Sequence, residues 1–409
     1  MRSRKPIDAP PPADPAPGRK RMAIVTTIWK YLSHAQHMGD RFLVGYPMDG
    51  AWKTPDVEVV SLYVDQKPAD DQSAERAASF GFQIYPTIAE ALRCGGDKLA
   101  VDAVLIIGEH GDYPRNEKGQ VLYPRYEFFK QTVDVFEADG RAVPVFNDKH
   151  LSYSFAKAKA MVDASKRLNF PFLAGSSLPV TWRLPSVDLP YGAEVEDALM
   201  VGVGGSDPMD YHALEAMQCV LERRRGGETG VRRVQMVTGD AVWKAGAEGR
   251  WSRELLGAAL SRTDSLQGLT VVDGRTQALA EGDEIARIAQ DPAAYMIEYN
   301  DGTRATLLML NGVLRDFNLA VRVKGRPDPL SMQFLLPPDP NVAYSAQLMN
   351  HVDRMIQTGR AGYPVERTML ICGVLESCLD SRMDGGKPLE TPFLDVRYES
   401  PRESLFART

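Results

Sequence analysis

Five of the six histidines stand at positions where they could share one site. Four of them follow apolar, strand-like segments and one opens a later helical segment: His34, His37, His110, His150 and His212. The imidazole pKa lies near neutral pH and the neutral ring is a common metal ligand, so such residues serve proton transfer or metal binding. The placement predicts that these rings converge on one site. The sixth histidine, His351, lies in an ordinary helical pattern.

Some of these residues are spaced as metal ligands would be. His34 and His37 are three residues apart on a predicted helix and share a face, while Glu109, His110 and Asp112 directly follow an apolar strand. Imidazole and carboxylate ligands suit zinc, manganese or iron, and an open coordination position would polarise a keto or hydroxyl oxygen. Polar residues at strand ends also cap helices or bind substrate without a metal. His34, His37, His110 and Asp112 are therefore metal-ligand candidates, and no metal is assigned.

The segments that position these residues alternate between strands and helices. Apolar runs rich in Val, Ile and Leu cover residues 22–28, 57–65, 101–108 and 142–148. Helical patterns separate them, at residues 33–42, 74–80, 88–93, 126–138 and 154–168. Continuous apolar strands joined by helices are typical of a parallel sheet that is covered on both faces. Residues 22–180 are therefore predicted to form one α/β domain.

The pattern changes in the second half of the chain. Strand-like segments become longer and more amphipathic, and residues 300–303 read Asn-Asp-Gly-Thr between two of them. This is a hairpin signal, because Asn, Asp and Gly tolerate positive φ. Residues 181–409 are predicted to form an α+β domain whose largely antiparallel sheet carries helices on one face. The helical segments 343–358 and 368–383 are expected to pack back on that sheet.

Composition limits the classes of function. The chain has 409 residues, of which 44% are hydrophobic, with a formal net charge of -6, so nucleic acid is not an expected partner. Its apolar runs are too short to span a bilayer. Residues 1–21 are rich in Pro and basic residues without an apolar leader, which predicts a disordered tail. The spacing of the four cysteines indicates neither a disulfide framework nor a zinc knuckle, so a cytoplasmic location is expected.

Three segments together resemble a known family. They are Val-Phe-Asn-Asp-Lys-His at residues 145–150, the stretch from Gly204-Gly205 to His212, and the ending at residues 370–392. In this order they resemble the Gfo/Idh/MocA family of NAD(P)-dependent sugar and cyclitol oxidoreductases, over residues 22–398. The resemblance implies an N-terminal Rossmann-like parallel sheet, followed by an α+β domain with a largely antiparallel sheet.

The resemblance also implies roles for particular residues. Family members carry Glu-Lys-Pro near the nicotinamide and substrate, and this chain has Asp148-Lys149-His150. Lys149 is expected to stabilise negative charge on a carbinol or keto oxygen, and His150 to contact substrate or metal. His212 matches the family's acid or base at the reacting hydroxyl. Asp207 and Asp210 are both candidate carboxylate partners for it, and neither reproduces the three-residue Asp-to-His spacing of the family.

The expected cofactor is NAD or NADP, but the first loop departs from the family pattern. Aligning His34 with a histidine common in the family places Thr26, Ile28 and Tyr31 at the three glycine positions that approach a pyrophosphate. A remodelled loop is therefore predicted, in which Thr26 and Thr27 hydroxyls and backbone N–H groups replace glycine. The complete set of candidate cofactor contacts is Thr26, Thr27, Ile28, Asp65, Glu109 and Lys149, with Asp65 placed for the ribose.

These observations predict an oxidoreductase that acts on a carbinol or keto carbon of a sugar, cyclitol or related polyol with NAD(P). One alternative is a metal-dependent lyase, hydratase or isomerase on the same fold. Another is a non-catalytic binding protein. A homo-oligomer is expected from the resemblance, with neither nucleic acid nor membrane as partner.

Overall fold

The first sheet of the chain is wholly parallel. The structure is a computed structural model that describes residues 18–205, 207–265, 284–337 and 344–408. In chain order its first eight strands are β1 (Lys20–Thr26), β2 (Tyr46–Met48), β3 (Ala51–Lys53), β4 (Val57–Val64), β5 (Gln83–Ile84), β6 (Ala103–Ile107), β7 (Val145–Asp148) and β8 (Phe172–Gly175). Six of them form the sheet in the order β5-β4-β1-β6-β7-β8, while β2 and β3 form a separate hairpin. This order confirms the predicted Rossmann-like arrangement and reverses direction between β1 and β6.

Helices connect these strands close to their predicted positions. They are α1 (Asp40–Val44), α2 (Ser73–Phe80), α3 (Ile88–Arg93), α4 (Arg125–Asp139) and α5 (Phe155–Arg167). The predicted first helix differs, because a π-helical turn at Ala35–Gly39 precedes α1. A Cβ at Gly39 would lie 2.9 Å from the Trp29 ring, so only glycine fits there. β1 begins two residues before residue 22, inside the predicted tail, whose residues 1–17 lie outside the described residues.

The second sheet has eight strands and is largely antiparallel. It consists of β9 (Arg183–Leu184), β10 (Val195–Gly202), β11 (Val231–Thr238), β12 (Gln290–Tyr299), β13 (Arg304–Asn311), β14 (Phe317–Val323), β15 (Leu330–Phe334) and β16 (Leu389–Glu390). Their order is β16-β11-β12-β13-β10-β14-β15-β9, and among these neighbours β10 and β13 are the parallel pair. Residues 300–303 form the predicted turn of the β12–β13 hairpin.

Helices cover both faces of this sheet, so the prediction of helices on one face is wrong. On one side α6 (Pro208–Leu221) packs in a common apolar cluster with strand residues such as Met200 and Leu307. On the other side α7 (Asp240–Ala247), α8 (Arg253–Leu260) and α9 (Glu284–Ile288) pack against alternate residues such as Leu199 and Leu308. Both strand faces are apolar, and each therefore requires a helical layer.

The last two helices of the chain pack on different sheets. Residues Val365–Met383 form α11, which packs on the second sheet as predicted. Residues Ala346–Thr358 form α10, which instead packs on the first domain against the β1 and β4 face, in a cluster that includes Leu348, Met349 and Ile24. The expectation that both helices return to the second sheet is therefore wrong for α10.

One apolar core runs through both halves of the chain. It joins the α4 and α5 face of the first sheet to α6, α11 and the second sheet. α11 passes so close to α5 that a Cβ at Gly373 would lie 2.7 Å from the Phe155 ring. The two sheets are therefore held in a fixed relation. Within the described ranges, no helix is both long and apolar enough to cross a bilayer.

The burial of His351 in α10 predicts acid sensitivity. Its Nε2 lies 3.0 Å from the Leu405 carbonyl oxygen, and burial lowers the pKa of His351 to about 4. The unfolded chain therefore takes up a proton at a higher pH than the folded chain, and folding stability falls as pH drops below about 6.5. In His351→Gln, the loss of unfolding free energy between pH 7 and pH 5 should be smaller by about 2 kcal/mol. Urea unfolding at both pH values measures this, and equal losses in both proteins would contradict it.

Candidate active site

The candidate residues meet at the carboxyl ends of β1, β6 and β7. In open parallel sheets, ligands bind in the crevice where the strand order reverses, which here lies between β1 and β6. His34 follows β1, Glu109 and His110 follow β6, and Lys149 and His150 follow β7. The predicted convergence of strand-end residues is therefore present.

An ion network fixes the base of this crevice. Both Glu109 carboxylate oxygens lie 2.7 Å from Lys149 Nζ, and one lies 2.8 Å from an Arg125 nitrogen. All three side chains are buried. Burial alone would raise the pKa of Glu109, yet the positive charge of Lys149 and other neighbours holds it well below its usual range. Lys149 therefore lies in the crevice with its ammonium engaged by a carboxylate.

A histidine–carboxylate pair stands beside this network. His34 Nδ1 lies 2.6 Å from Asp148 Oδ2, and the other Asp148 oxygen accepts the Lys149 N–H at 2.8 Å. Asp148 has no exposed surface. His110 is close by, with its ring centroid 4.9 Å from that of His34 and its Nδ1 3.3 Å from the His34 backbone nitrogen. Asp148, which the resemblance marked only as an acidic match, therefore orients His34.

The four metal-ligand candidates divide into two groups. One ligand atom from each of His34, Glu109 and His110 lies within 4.8 Å of the others. His37 turns its Nδ1 to the Tyr344 hydroxyl at 2.7 Å, and burial lowers the pKa of His37 to about 3. Asp112 is exposed, and its backbone N–H and carbonyl bond to a glutamine side chain. The structure therefore replaces His37 and Asp112 by Glu109 in the candidate ligand set.

His150 faces the second half of the chain. Its Nε2 lies 3.2 Å from Asp207 Oδ1, which also accepts a hydrogen bond from Gln120 at 3.1 Å. Burial opposes ionisation of Asp207, but His150 and Gln120 hold its pKa below the usual value. Gln120 belongs to the loop after β6, so this buried group links that loop to α6.

His212 lies at the carboxyl end of β8, the strand that pairs with β7 just before Lys149. Burial, together with the charge of Lys149, holds the pKa of His212 well below 6.5, so the ring is neutral. Its Nδ1 contacts the Ser176 hydroxyl, which follows β8. The candidate partner Asp210 instead accepts a hydrogen bond from Tyr295 of β12, and burial raises the pKa of Asp210 to about 6. Asp207 and Asp210 thus bond to His150 and Tyr295, and the group that contacts His212 Nδ1 is the Ser176 hydroxyl.

The first turn differs from the predicted loop. Thr26 and Thr27 have no exposed surface, and their hydroxyls donate to the backbone carbonyls of Ile107 and Glu109 at 3.0 and 2.7 Å. They are not available to a phosphate, so this part of the prediction is wrong. Ile28 is also buried.

Three backbone N–H groups of this turn, those of Lys30, Leu32 and His34, also have hydrogen-bond partners within the chain. Gln36 Oε1 accepts the Leu32 N–H at 2.6 Å, His110 Nδ1 accepts that of His34 at 3.3 Å, and Ser33 Oγ accepts that of Lys30 at 3.0 Å. A helix start binds phosphate through such groups when they are free. In this arrangement the turn does not fit a pyrophosphate.

The predicted ribose carboxylate is engaged as well. Asp65 is exposed after β4, but its two oxygens accept the hydroxyls of Tyr63 and Tyr113 at 2.8 and 2.6 Å. Tyr113 belongs to the loop after β6. Asp65 thus follows β4 at the edge of the crevice, and each of its two carboxylate oxygens already accepts one tyrosine hydroxyl.

Several residues of the site were missed in the sequence. Arg125 contacts Glu109, Ser176 contacts His212 and Gln120 contacts Asp207, and each of these pairs is far apart in the chain. Gln36 is only four residues from Leu32, whose backbone N–H it accepts. One signal was present, because a Cβ at Gly108 would lie 2.6 Å from the Arg125 side chain. A glycine between an apolar strand and a buried glutamate marks such close packing.

Comparison with known proteins gives likeness in structure alone. No family model matches the chain, and no curated protein matches it in sequence. GenD2 from gentamicin A biosynthesis, solved in complex with NAD, has a TM-score of 0.56 at 15% identity and covers 93% of this chain and 98% of its own.

Two further solved structures cover the chain to a similar extent. The myo-inositol dehydrogenase of Lactobacillus casei, solved with NAD(H) and myo-inositol, has a TM-score of 0.53 at 12% identity and covers 91% of this chain and 96% of its own. An oxidoreductase of Agrobacterium radiobacter, solved with NAD+, L-tartaric acid and magnesium, has a TM-score of 0.53 at 12% identity. The match covers 91% of this chain and 98% of the other.

The energetic coupling of Glu109 and Lys149 can be measured. Removing either partner leaves a buried charge poorly compensated, so Glu109→Gln and Lys149→Met should each lower the unfolding free energy by about 3 kcal/mol. The double variant should lose less unfolding free energy than the two single variants together, and the difference, which is the coupling energy, should exceed about 1 kcal/mol. The exposed pair Lys130 and Asp134 is the matched control, and its double variant should show a far smaller departure from additivity because solvent screens the pair. Additive losses at the buried pair, measured by urea unfolding, would contradict the network.

Across most of its length, this protein thus has the two-domain α/β fold of these dinucleotide-bound dehydrogenases and oxidoreductases.

Proposed function

We propose that the chain is an oxidoreductase of the Gfo/Idh/MocA type, acting on a carbinol or keto carbon of a sugar, cyclitol or related polyol with NAD(P). The observation that carries this proposal is the placement of two reactive groups at neighbouring strand ends. Lys149 directly follows Asp148 of β7, and Ser176, which contacts His212, directly follows Gly175, the register partner of Asp148 on β8. Structures with the same fold were solved with NAD and with myo-inositol, which supports the choice of cofactor and substrate class.

The proposed roles use groups that are already oriented. In the tautomer that carries its proton on Nδ1, next to Ser176, the Nε2 lone pair of His212 accepts the proton of a substrate hydroxyl. Lys149, at the neighbouring strand end, stabilises negative charge that develops on the same oxygen. Glu109 shares the Lys149 ammonium and holds it at the base of the crevice. NAD(P) would supply the hydride acceptor.

Cofactor binding requires a change in the first turn. The Leu32 N–H, bonded to Gln36, and the His34 N–H, bonded to His110, must exchange these partners for phosphate oxygens. Each exchange loses an internal hydrogen bond, so we expect weaker nucleotide binding than a glycine turn provides.

The central test is nicotinamide reduction by the purified chain with a panel of sugars, cyclitols and related polyols. Wild type should reduce NAD or NADP with at least one of them, and His212→Asn should lower turnover by about 100-fold through loss of the proton acceptor. His351→Gln is a matched control with unchanged turnover, because His351 bonds to Leu405 outside the crevice. No reduction with any polyol removes the redox proposal, and full activity in His212→Asn removes its catalytic role.

Gln36 should limit nucleotide affinity. In Gln36→Ala the Leu32 N–H becomes free for a phosphate oxygen, and one added hydrogen bond of about 1 kcal/mol corresponds to about fivefold tighter binding. Calorimetric titration with NAD(H) and NADP(H) measures the change. Gln131→Ala, an exposed helix position far along the chain, serves as control. Equal affinity in all three proteins would show that Gln36 does not occupy a phosphate position.

A second candidate is a non-redox lyase, hydratase or isomerase that uses a metal. The observation that favours it is the grouping of His34, Glu109 and His110 beside a turn whose N–H groups are engaged. A non-catalytic binding protein would show neither turnover nor sensitivity to His212→Asn. The division at residue 180, the cytoplasmic location and the homo-oligomer stay predictions.

A further inference from the structure

Three side chains from two loops form a compact set of metal-ligand atoms. His34 lies on the first turn, while Glu109 and His110 follow β6, and one ligand atom of each lies within 4.8 Å of the others. Two imidazoles and a carboxylate suit a divalent transition metal, and three protein ligands leave coordination positions open for substrate oxygens. His34 and Glu109 are buried, so both side chains are largely shielded from bulk water.

The orientation of His34 is that of a metal ligand with its supporting carboxylate. Asp148 Oδ2 lies 2.6 Å from His34 Nδ1 and is fully buried, so a proton on Nδ1 is held there. The Nε2 lone pair then remains free. Metal-bound histidines characteristically donate their other ring N–H to a carboxylate in this way, which fixes the ring and raises its basicity.

His110 is held in place by an uncommon backbone. Its φ is +71° and the following Gly111 has φ of +103°, so a non-glycine residue occupies the left-handed region directly after β6. Such residues cost about 1 kcal/mol or more and cluster at functional sites. The ring lies edge-on to His34. Its Nδ1 receives the His34 N–H at 3.3 Å, a long contact that a metal bond can replace.

The charges around the site determine whether a metal ion binds alone or together with an anion. Glu109 and Asp148 are matched by two cations, Lys149 and Arg125, so the buried groups are balanced before any ion enters. A divalent ion then adds uncompensated charge. Binding with an oxygen anion, such as hydroxide or a deprotonated substrate oxygen, restores the balance. Coordination by one Glu109 oxygen would also release one of the two Lys149–Glu109 contacts, and the freed ammonium N–H would be available to that anion.

We propose that His34, Glu109 and His110 bind one divalent transition metal ion in the crevice, beside Lys149. The open positions of the ion take the oxygen atoms of a hydroxy or keto substrate. This site deepens the second candidate function, and its ion binding is measured without any turnover assay.

The test begins with the metal content of the purified full-length chain. After dialysis, wild type should retain about one equivalent of zinc, manganese, iron or cobalt, whereas His34→Ala and His110→Ala should each retain less than about a tenth. His351→Gln is the matched control and should retain the wild-type amount. Metal retained equally by His34→Ala and His110→Ala, or less than a tenth of an equivalent in wild type even after incubation with each ion, overturns the proposal.

A spectroscopic measurement covers the case in which a variant fails to fold. Co²⁺ added to wild type should produce a visible absorption band from nitrogen and oxygen ligands, which excess Zn²⁺ removes. The absence of this band in folded wild type overturns the proposal without any variant. Metal binding without nicotinamide reduction supports the metal site and removes the redox function. Nicotinamide reduction by a chain that binds no metal supports the redox function and removes the metal site.

Discussion

The structure of the crevice depends on the burial of one ionised carboxylate. Glu109 is almost without exposed surface and stays charged because Lys149 and Arg125 lie within 2.8 Å of it. An uncompensated buried carboxylate would take up a proton or destabilise the fold. The ends of β6 and β7 and the first residue of α4 must therefore come together, and Gly108 permits the approach of Arg125. The other candidate residues extend from these same strand ends.

The continuous core explains why residues from distant parts of the chain reach the crevice. α11 packs on the second sheet and on α5 of the first, and α6 packs beside it. His212 lies on α6 and the Lys149 loop precedes α5. Their separation therefore depends on apolar packing in addition to loop conformation. Close-packed interiors resist small displacements, so this arrangement keeps the two groups at a constant distance.

Local patterns predicted the elements well, and long-range contacts account for the differences. The helix α5 and the turn at residues 300–303 were predicted because caps, periodicity and turn residues act within a few positions. The helix α10 was placed on the wrong sheet, since periodicity shows which face is apolar but not which surface covers it. Asp207 and Asp210 are candidate partners of His212 by proximity in sequence, whereas folding brings His150 to Asp207, Tyr295 to Asp210 and Ser176 to His212. Gln36 gave no signal because its partner is a backbone group.

The closure of the first turn by Gln36 has a consequence for selectivity. A helix start with free N–H groups attracts any phosphorylated metabolite, and these are abundant anions that would compete for the crevice. Here the Leu32 and His34 N–H groups are satisfied within the chain, so an incoming phosphate gains little by replacing them. Any phosphate-bearing molecule, a dinucleotide included, must therefore break these two internal hydrogen bonds before the turn can hold it.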